Sequence, residues 1–548
     1  MRFLYSAQNL SGSDKVLQRV LEIIPGTLSW VLIVGLFLLA FWQPVAVAII
    51  IIVFMLSWVM RLFYYLIFLG LSYARIRYEK GTDWISRVRG LDRFEDYAEQ
   101  VRREKPIGGI GTRLSAWSLH KDLEEIRRRN AFPPPSDEIY HIILIPVIKE
   151  SREVLEGSLE GLLQNREFLN RMLVVVALES RAEASIKSGV RELKERYASQ
   201  FFGFQVVEHP DGLLGESRVK GANISFAAKI AGEFLKKRNI NFENVIISCL
   251  DADTIVGADY FSCLTYAFMV CPDRHRASFQ PIPVYHNNIW EVPGFARVVE
   301  TGSSFFQLVE TTNPEKLVTF SSHSMSFKAL VDVGYWPPDM VSDDSSIFWK
   351  AYIHFDGDYR VVPIPVTVSM DVVNSGSWWR TCVSLYEQKR RWAWGVENFP
   401  LVIRGFLKNS KISLFDKCRH AFKLLEGHVT WAAMPFLLTF AGWFPAILAG
   451  KEFSGTVLYF NAGRVTQTIF GLSSLVVIGT VIFSMWLLPP KRKRFNLFWT
   501  FVHSLEWLLV PVILIFFSAL PALDAQTRLM MGKRLSFMSS DKKRGRLP

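Results

Sequence analysis

From Ile23 to Met60 the chain carries no charged residue. A stretch of that length can cross a bilayer twice, because one helical crossing takes roughly 20 apolar residues. Gln43-Pro44 stands near its middle, where a turn outside the bilayer would reverse the chain. Two helices are therefore expected, about Ile23–Phe41 and Val45–Leu69, with Arg61 snorkelling towards the inner surface. The stretch is too long for a cleaved signal peptide and lacks a convincing cleavage site. Three further apolar stretches come late, at Val429–Ala449, Gln467–Leu488 and Leu497–Leu520.

Flanking charge sets the orientation. Arg75, Arg77 and Lys80 follow the second helix and put the middle of the chain in the cytoplasm. Lys491, Arg492, Lys493 and Arg494 place the link after the fourth stretch on the same side. A single crossing by the last stretch would leave the basic tail, Lys533 to Arg546, outside. Glu506 and Pro511 interrupt that stretch, which favours a re-entrant or broken element that returns the tail to the cytoplasm.

Lys and Arg outnumber Asp and Glu by 63 to 51 in a chain that is half hydrophobic. The densest basic clusters (Arg75 to Lys80, Lys491 to Arg494, Lys542 to Arg546) flank apolar segments, so the charge suits a membrane with its lipids, and no nucleic-acid partner is expected. The five cysteines show no C-x-x-C spacing, which argues against a disulfide framework or a zinc site.

Between about Ile110 and Gly405 short apolar runs alternate with charged, helix-compatible stretches. The runs are Tyr140–Val147, Met172–Leu178, Phe204–Val207, Val245–Leu250 and Ala277–Pro281. Strand, helix, strand in repetition predicts an α/β domain with a mostly parallel, doubly wound sheet, whose ligands bind at the carboxyl ends of the strands. The expected division is 1–72 with two membrane helices, 73–138 a basic linker, 139–405 the α/β domain with interface helices, 406–427 an amphipathic interface segment, 428–522 the C-terminal membrane helices and 523–548 a basic tail.

Four features could carry chemistry. The run Val245–Leu250 ends in Asp251-Ala252-Asp253, two carboxylates that point the same way from a strand end and suit Mg²⁺ or Mn²⁺, or else form a solvated strand terminus. A second D-x-D, Asp356-Gly357-Asp358, sits in a turn-like context and is read as a turn. Asp343-Asp344, preceded by Ser342, opens a helix; the pair is either a helix cap or the source of a general base. Gln388-Lys389-Arg390-Arg391-Trp392 is basic and amphipathic, suited to the membrane surface, while its Arg can pair with a diphosphate and its Trp can offer a face to a sugar ring. Lys220-Gly221-Ala222-Asn223 opens a helix after a Gly-containing loop, as a phosphate-holding terminus or a structural cap would.

Taken in order, from about Tyr140 to Gly395, these pieces resemble the inverting family 2 glycosyltransferases, and within them the membrane-integrated relatives of cellulose, chitin and hyaluronan synthases. Pro146 and Glu150 match the family's first-strand signature, and Lys220 to Asn223 its Lys/Asn segment. Asp251 and Asp253 match the metal-binding D-x-D. Ser342-Asp343-Asp344 stands where the family has T-E-D, and Gln388, Arg391 and Trp392 where it has Q-x-x-R-W. The acidic pair that holds uracil after the second strand is absent, leaving Glu179 as its substitute, and Lys149 replaces the usual Asn before Glu150.

The resemblance implies a GT-A domain, cytoplasmic and inserted between the helices of a multi-pass membrane protein. It implies a nucleotide-diphosphate sugar donor, UDP-linked by preference, held by Pro146, Glu150, Glu179, Lys220, Asn223 and Asp251. Asp253 and Asp251 would hold Mg²⁺ or Mn²⁺, and Asp344, beside Asp343, would be the base. Gln388, Arg391 and Trp392 would serve the diphosphate and a glycan or lipid-linked acceptor. A processive polysaccharide synthase coupled to export is the expected function. The alternatives are transfer of one sugar to a polyprenyl carrier, an inactive partner of another synthase, and a transporter.

Overall fold

The computed structural model describes residues 5, 10–104, 106, 108–440, 457–489 and 497–535. The linking cluster Lys491 to Arg494, the end of the stretch Val429–Ala449 and the tail beyond 535 lie outside these residues.

Eight strands form one mixed sheet in the order β3-β2-β1-β4-β7-β6-β8-β5. They are β1 Tyr140–Val147, β2 Met172–Glu179, β3 Gly203–His209, β4 Val245–Cys249, β5 Ile255–Val256, β6 Ala277–Val284, β7 Ser324–Ser326 and β8 Arg360–Ser369. The half built from β3, β2, β1 and β4 is parallel throughout, as the long apolar runs predict. All eight residues of β2 are buried, the mark of a strand covered on both faces. The other half is mixed rather than parallel, because the short β7 runs antiparallel to both β4 and β6 and splices them together. The α/β domain set between membrane-length helices is as expected.

Several helices matter for the site. Those labelled are α1 Gly12–Trp42, α2 Pro44–Glu79, α3 Lys220–Lys236, α4 Gly294–Glu310, α5 Asp343–His354, α6 Trp378–Ala393, α7 Asn398–Lys408, α8 Leu414–Phe440, α9 Val457–Leu487 and α10 Leu520–Met530. Helices α3 and α5 pack on one face of the sheet, where Ala227, Ala228 and Ala231 let α3 lie close against the strands.

Helices α1 and α2 are long and apolar enough to cross a bilayer, and they extend past the predicted spans on the domain side. The start of α1 is tied to α7, with Arg404 Nε donating to Gln18 Oε1 at 2.7 Å. The end of α2 meets α4, where Ser72 and Thr311 hydroxyls lie 3.4 Å apart. Helix α8 leaves the domain at His420, stacked edge-on to Trp349, and reaches Ala40 and Val47 beside the α1–α2 turn through Leu437. Helix α9 returns, bringing Phe483 and Trp486 to Tyr73 near the end of α2. Arg61, expected to snorkel, pairs with Glu426 of α8 at 2.6 Å.

The last apolar segment is helical from Leu497 to Met530, broken by a 3-10 turn at Glu506–Leu509 and a π turn at Ile515–Ala519. It too is long and apolar enough to cross. Its contacts, however, keep both ends beside the α/β domain. Arg297 of α4 donates to both Glu506 oxygens at 2.5 and 2.7 Å. Arg390 of α6 pairs with Asp524 at 3.0 Å, and Arg19 at the domain end of α1 donates to the Leu529 carbonyl at 2.8 Å. Ile513 and Phe517 face a cluster that includes Phe295 and Leu385, while Phe501, Leu505, Leu508, Val512 and Phe516 form an exposed stripe at helical spacing.

Candidate active site

Three chain segments converge at the carboxyl end of β4. Asp251 and Asp253 follow that strand, Lys220 begins α3, and Asp343 and Asp344 begin α5. The Lys220 ammonium lies 3.2 Å from Asp251 Oδ1, 3.1 Å from Asp343 Oδ2 and 3.0 Å from Asp344 Oδ1. One lysine thus joins both predicted acidic motifs. Gly221 allows this approach: a Cβ there would stand 2.6 Å from the Pro337 carbonyl, in the loop that leads into α5.

The electrostatics follow from burial. Desolvation alone would push Lys220 towards neutrality, but the surrounding carboxylates outweigh it and hold its pKa well above the ordinary 10.5. Burial, joined by the charge of Asp344, pushes the Asp343 carboxyl up. Asp343 is 5% exposed in its side chain and Asp344 24%, so Asp344 is the member of the pair that faces the cleft.

Around the D-x-D, Ser321 Oγ donates to Asp251 Oδ2 at 2.6 Å, and the Asp371 N–H donates to Asp253 Oδ2 at 2.9 Å. Asn287 Nδ2 spans the two segments, donating to the Asp253 carbonyl at 2.9 Å and to Asp371 Oδ1 at 2.8 Å. Among the described residues no three His, Cys, Asp or Glu side chains are arranged to ligate an ion unaided. The donor chemistry still fits a hard divalent cation: Asp251 and Asp253 offer oxygens at one strand end, Asp251 already attracts a cationic group, and such ions take further oxygens from diphosphate and water.

The other predicted residues are placed as follows. Glu150, after β1 and its half-buried Pro146, folds its carboxylate back onto the N–H groups of Ile148 and Lys149 at 2.7 and 3.0 Å, shaping that turn. Asn223 is buried and donates to the Ala177 carbonyl at 2.8 Å, a tie between α3 and β2. Glu179 ends β2 beside Arg181 Nε at 3.5 Å and His209 Nδ1 at 3.6 Å. On α6, Gln388 is buried, and Lys389 sits 3.6 Å above the Trp392 ring while pairing with Glu300 at 2.9 Å. The Trp392 ring also meets Tyr285, their centroids 6.2 Å apart and tilted by 35°. Tyr285 ties the two ends together: burial pushes its hydroxyl well above the ordinary 10.0, Glu300, Asp253 and Asp251 add to this, and Arg391 opposes it. Arg391 and the D-x-D therefore act on one buried hydroxyl. Asp356 and Asp358 pair elsewhere, Asp356 with Lys411 and Asp358 with Arg276, in a turn where Asp356 has φ 56°.

Sequence reasoning missed His323, Asp371, Glu397 and Asn398. His323 is fully buried, which holds its imidazole below the ordinary 6.5 and neutral. Its Nδ1 lies 3.2 Å from the Phe320 carbonyl and 3.7 Å from Asp344 Oδ1. A carbonyl only accepts, so Nδ1 carries the proton. Glu397 receives Ser342, and burial pushes its carboxyl up to about 7. None of these four stands in a local pattern that marks it.

A profile of the family described as glycosyl transferase family group 2 matches residues 246–520. Poly-beta-1,6-N-acetyl-D-glucosamine synthase of Staphylococcus aureus is 29% identical over 172 residues, 31% of this chain. The counterpart in Staphylococcus epidermidis is 27% identical over 175 residues. In both cases the match spans 39% of the relative's length. Among solved structures, a mannosyltransferase of Pyrobaculum calidifontis in complex with GDP-Man and Mn²⁺ is 15% identical, with a TM-score of 0.39, covering 72% of this chain and 99% of that one. S. aureus TarS 1-349 in complex with UDP-GlcNAc is 12% identical, with a TM-score of 0.32, over 72% and 93%.

Proposed function

The chain belongs to glycosyl transferase family group 2 and is a glycosyltransferase, and from that premise we propose a membrane-integrated, inverting enzyme that uses a UDP-sugar to extend a polysaccharide and passes it outward through its helices. The observation that carries this reading is the gathering of Asp251, Asp343 and Asp344 on Lys220, beside the helix that bears Arg391 and Trp392. The similarity to poly-beta-1,6-N-acetyl-D-glucosamine synthases supports a polymer as product.

In this reading Asp251 and Asp253 would hold Mg²⁺ or Mn²⁺, which supplies charge neutralisation for the leaving diphosphate. Asp344 takes the proton of an acceptor hydroxyl as its oxygen attacks the anomeric carbon, and the bond from that carbon to the diphosphate breaks on the opposite side. Configuration inverts. Arg391 offsets the charge left on the diphosphate, and Trp392 supports the acceptor sugar. Glu179, at the end of β2, would meet the nucleobase. A screen of nucleotide sugars with the purified protein in detergent tests the reading. We expect UDP release and a long product with Mg²⁺ or Mn²⁺, both abolished by EDTA. Short, solvent-extractable lipid product would favour transfer to a carrier, and no cleavage of any nucleotide sugar would favour a scaffold.

The membrane path proposed is four crossings, by α1, α2, α8 and α9, with the segment 497–530 lying along the domain-side face of the bilayer. Its support is the pairing of Glu506 with Arg297 and of Asp524 with Arg390, since a paired charge at the interface costs less than one inside hydrocarbon. A fluorescent-protein reporter fused after Pro548 should then glow in a bacterial host, and a phosphatase reporter there should be silent. An active phosphatase would require a fifth crossing.

A further inference from the structure

The turn that follows α6, Trp394–Glu397, is fastened to the turn that precedes α5. Glu397 Oε1 accepts from the Ser342 N–H and from the Ser342 hydroxyl, each at 2.8 Å. Glu397 Oε2 accepts from Trp394 Nε1 at 2.9 Å. Next to it, Asn398 Nδ2 donates to Ser342 Oγ at 3.2 Å and to Ser345 Oγ at 2.8 Å. By sequence Ser342 is a helix N-cap, yet its side chain makes no capping bond to α5. Its hydroxyl is turned to a carboxylate 55 residues further along the chain.

We propose that Glu397 is a positioning residue for sugar transfer: it fixes the Ser342 turn, and with it Asp343 and Asp344, against the helix that carries Arg391 and Trp392. The proposal rests on Asp344 as the base. Base and diphosphate-pairing groups sit on separate elements, so their spacing depends on whatever joins those elements. A misplacement of roughly 1 Å between reacting groups costs about 10²-fold in rate. Three donors meet the two Glu397 oxygens, and only a carboxylate accepts at both. A glutamine keeps one accepting oxygen for Ser342 but turns an amide NH₂ against Trp394 Nε1–H, donor to donor. An alanine loses all three bonds.

The full-length protein in detergent, turning over UDP-sugar, tests this. E397A should lower kcat by about 10²-fold and E397Q by less than about 10-fold, the graded order that a positional role requires. The KM for donor and the affinity for UDP should stay within about twofold of wild type, since neither variant touches Lys220 or Asp251. Adding S342A to E397A should cost less than about twofold more, because both act through one contact. Wild-type kcat in E397A would overturn the proposal, and so would a fall in UDP affinity that matches the fall in kcat. If E397A fails to fold, E397Q and S342A take its place: each must lower kcat with KM unchanged, and a rise in KM alone would overturn it. D344N separates the two readings. Full turnover in D344N would remove the base, whereas the Glu397 series is judged by its own split between kcat and KM.

Discussion

Asp344→Asn is expected to lower kcat for sugar transfer by about 10²–10⁴-fold, the usual contribution of a general base. The substitution keeps the shape of the side chain and one oxygen for Lys220, so nucleotide affinity should hold. Asp343→Asn should be milder, although it removes the same charge on paper. Burial and the charge of Asp344 raise the Asp343 carboxyl, so it holds a proton to higher pH than an exposed aspartate does. An amide in its place therefore changes less in charge than it would at an exposed position. The structure thus separates the two neighbouring carboxyls by exposure, 5% for Asp343 against 24% for Asp344. Single-turnover rates of both variants at saturating donor provide the comparison. Equal losses in the two, or full turnover in Asp344→Asn, would remove the assignment.

Much of the fold is legible because buried parallel strands write themselves as unbroken apolar runs. β1, β2, β4 and most of β6 stand where those runs stand. β7 leaves no such trace: Ser324-Met325-Ser326 is too short and too polar, and its place is secured by the Ser248–Ser324 hydroxyl contact at 2.7 Å and by pairing on both sides. For the site, the acidic motifs are legible one by one, but their meeting point is not. Lys220 and Asp344 are 124 residues apart, and Lys220 reads locally as a helix start. Glu506 shows the converse. As a charge within an apolar stretch it announces a conflict, but its partner Arg297 lies 209 residues earlier on another helix, where nothing local marks it. Local chemistry shows through periodicity and composition; long-range pairing shows only after the chain has folded.

Lys220→Met carries the largest stability effect expected of the site. The side chain is 9% exposed and faces Asp251, Asp343 and Asp344. Removing one partner from a buried ionic cluster strands the others, at a cost of about 3–5 kcal/mol. The stranded carboxyls can escape that cost only by taking up protons. Asp343 is already raised with Lys220 present, and loss of the ammonium, which opposes that rise, would raise it further. The folded variant then binds more protons than the unfolded chain wherever pH lies between the ordinary carboxylate value and the raised one. Stability therefore falls as pH rises through that window. Wild type falls through the same window, because its own Asp343 is raised to about 8, so the gap in thermal midpoint between Lys220→Met and wild type should stay level from pH 5 to 7 and widen as pH rises past about 8. Lys220→Arg, which keeps the charge in a bulkier fork, should show no such widening. If the Met variant instead tracked wild type at a constant offset above about pH 8 as well, lost packing alone would account for it. Lys220 would then not be the charge that holds the acidic motifs together.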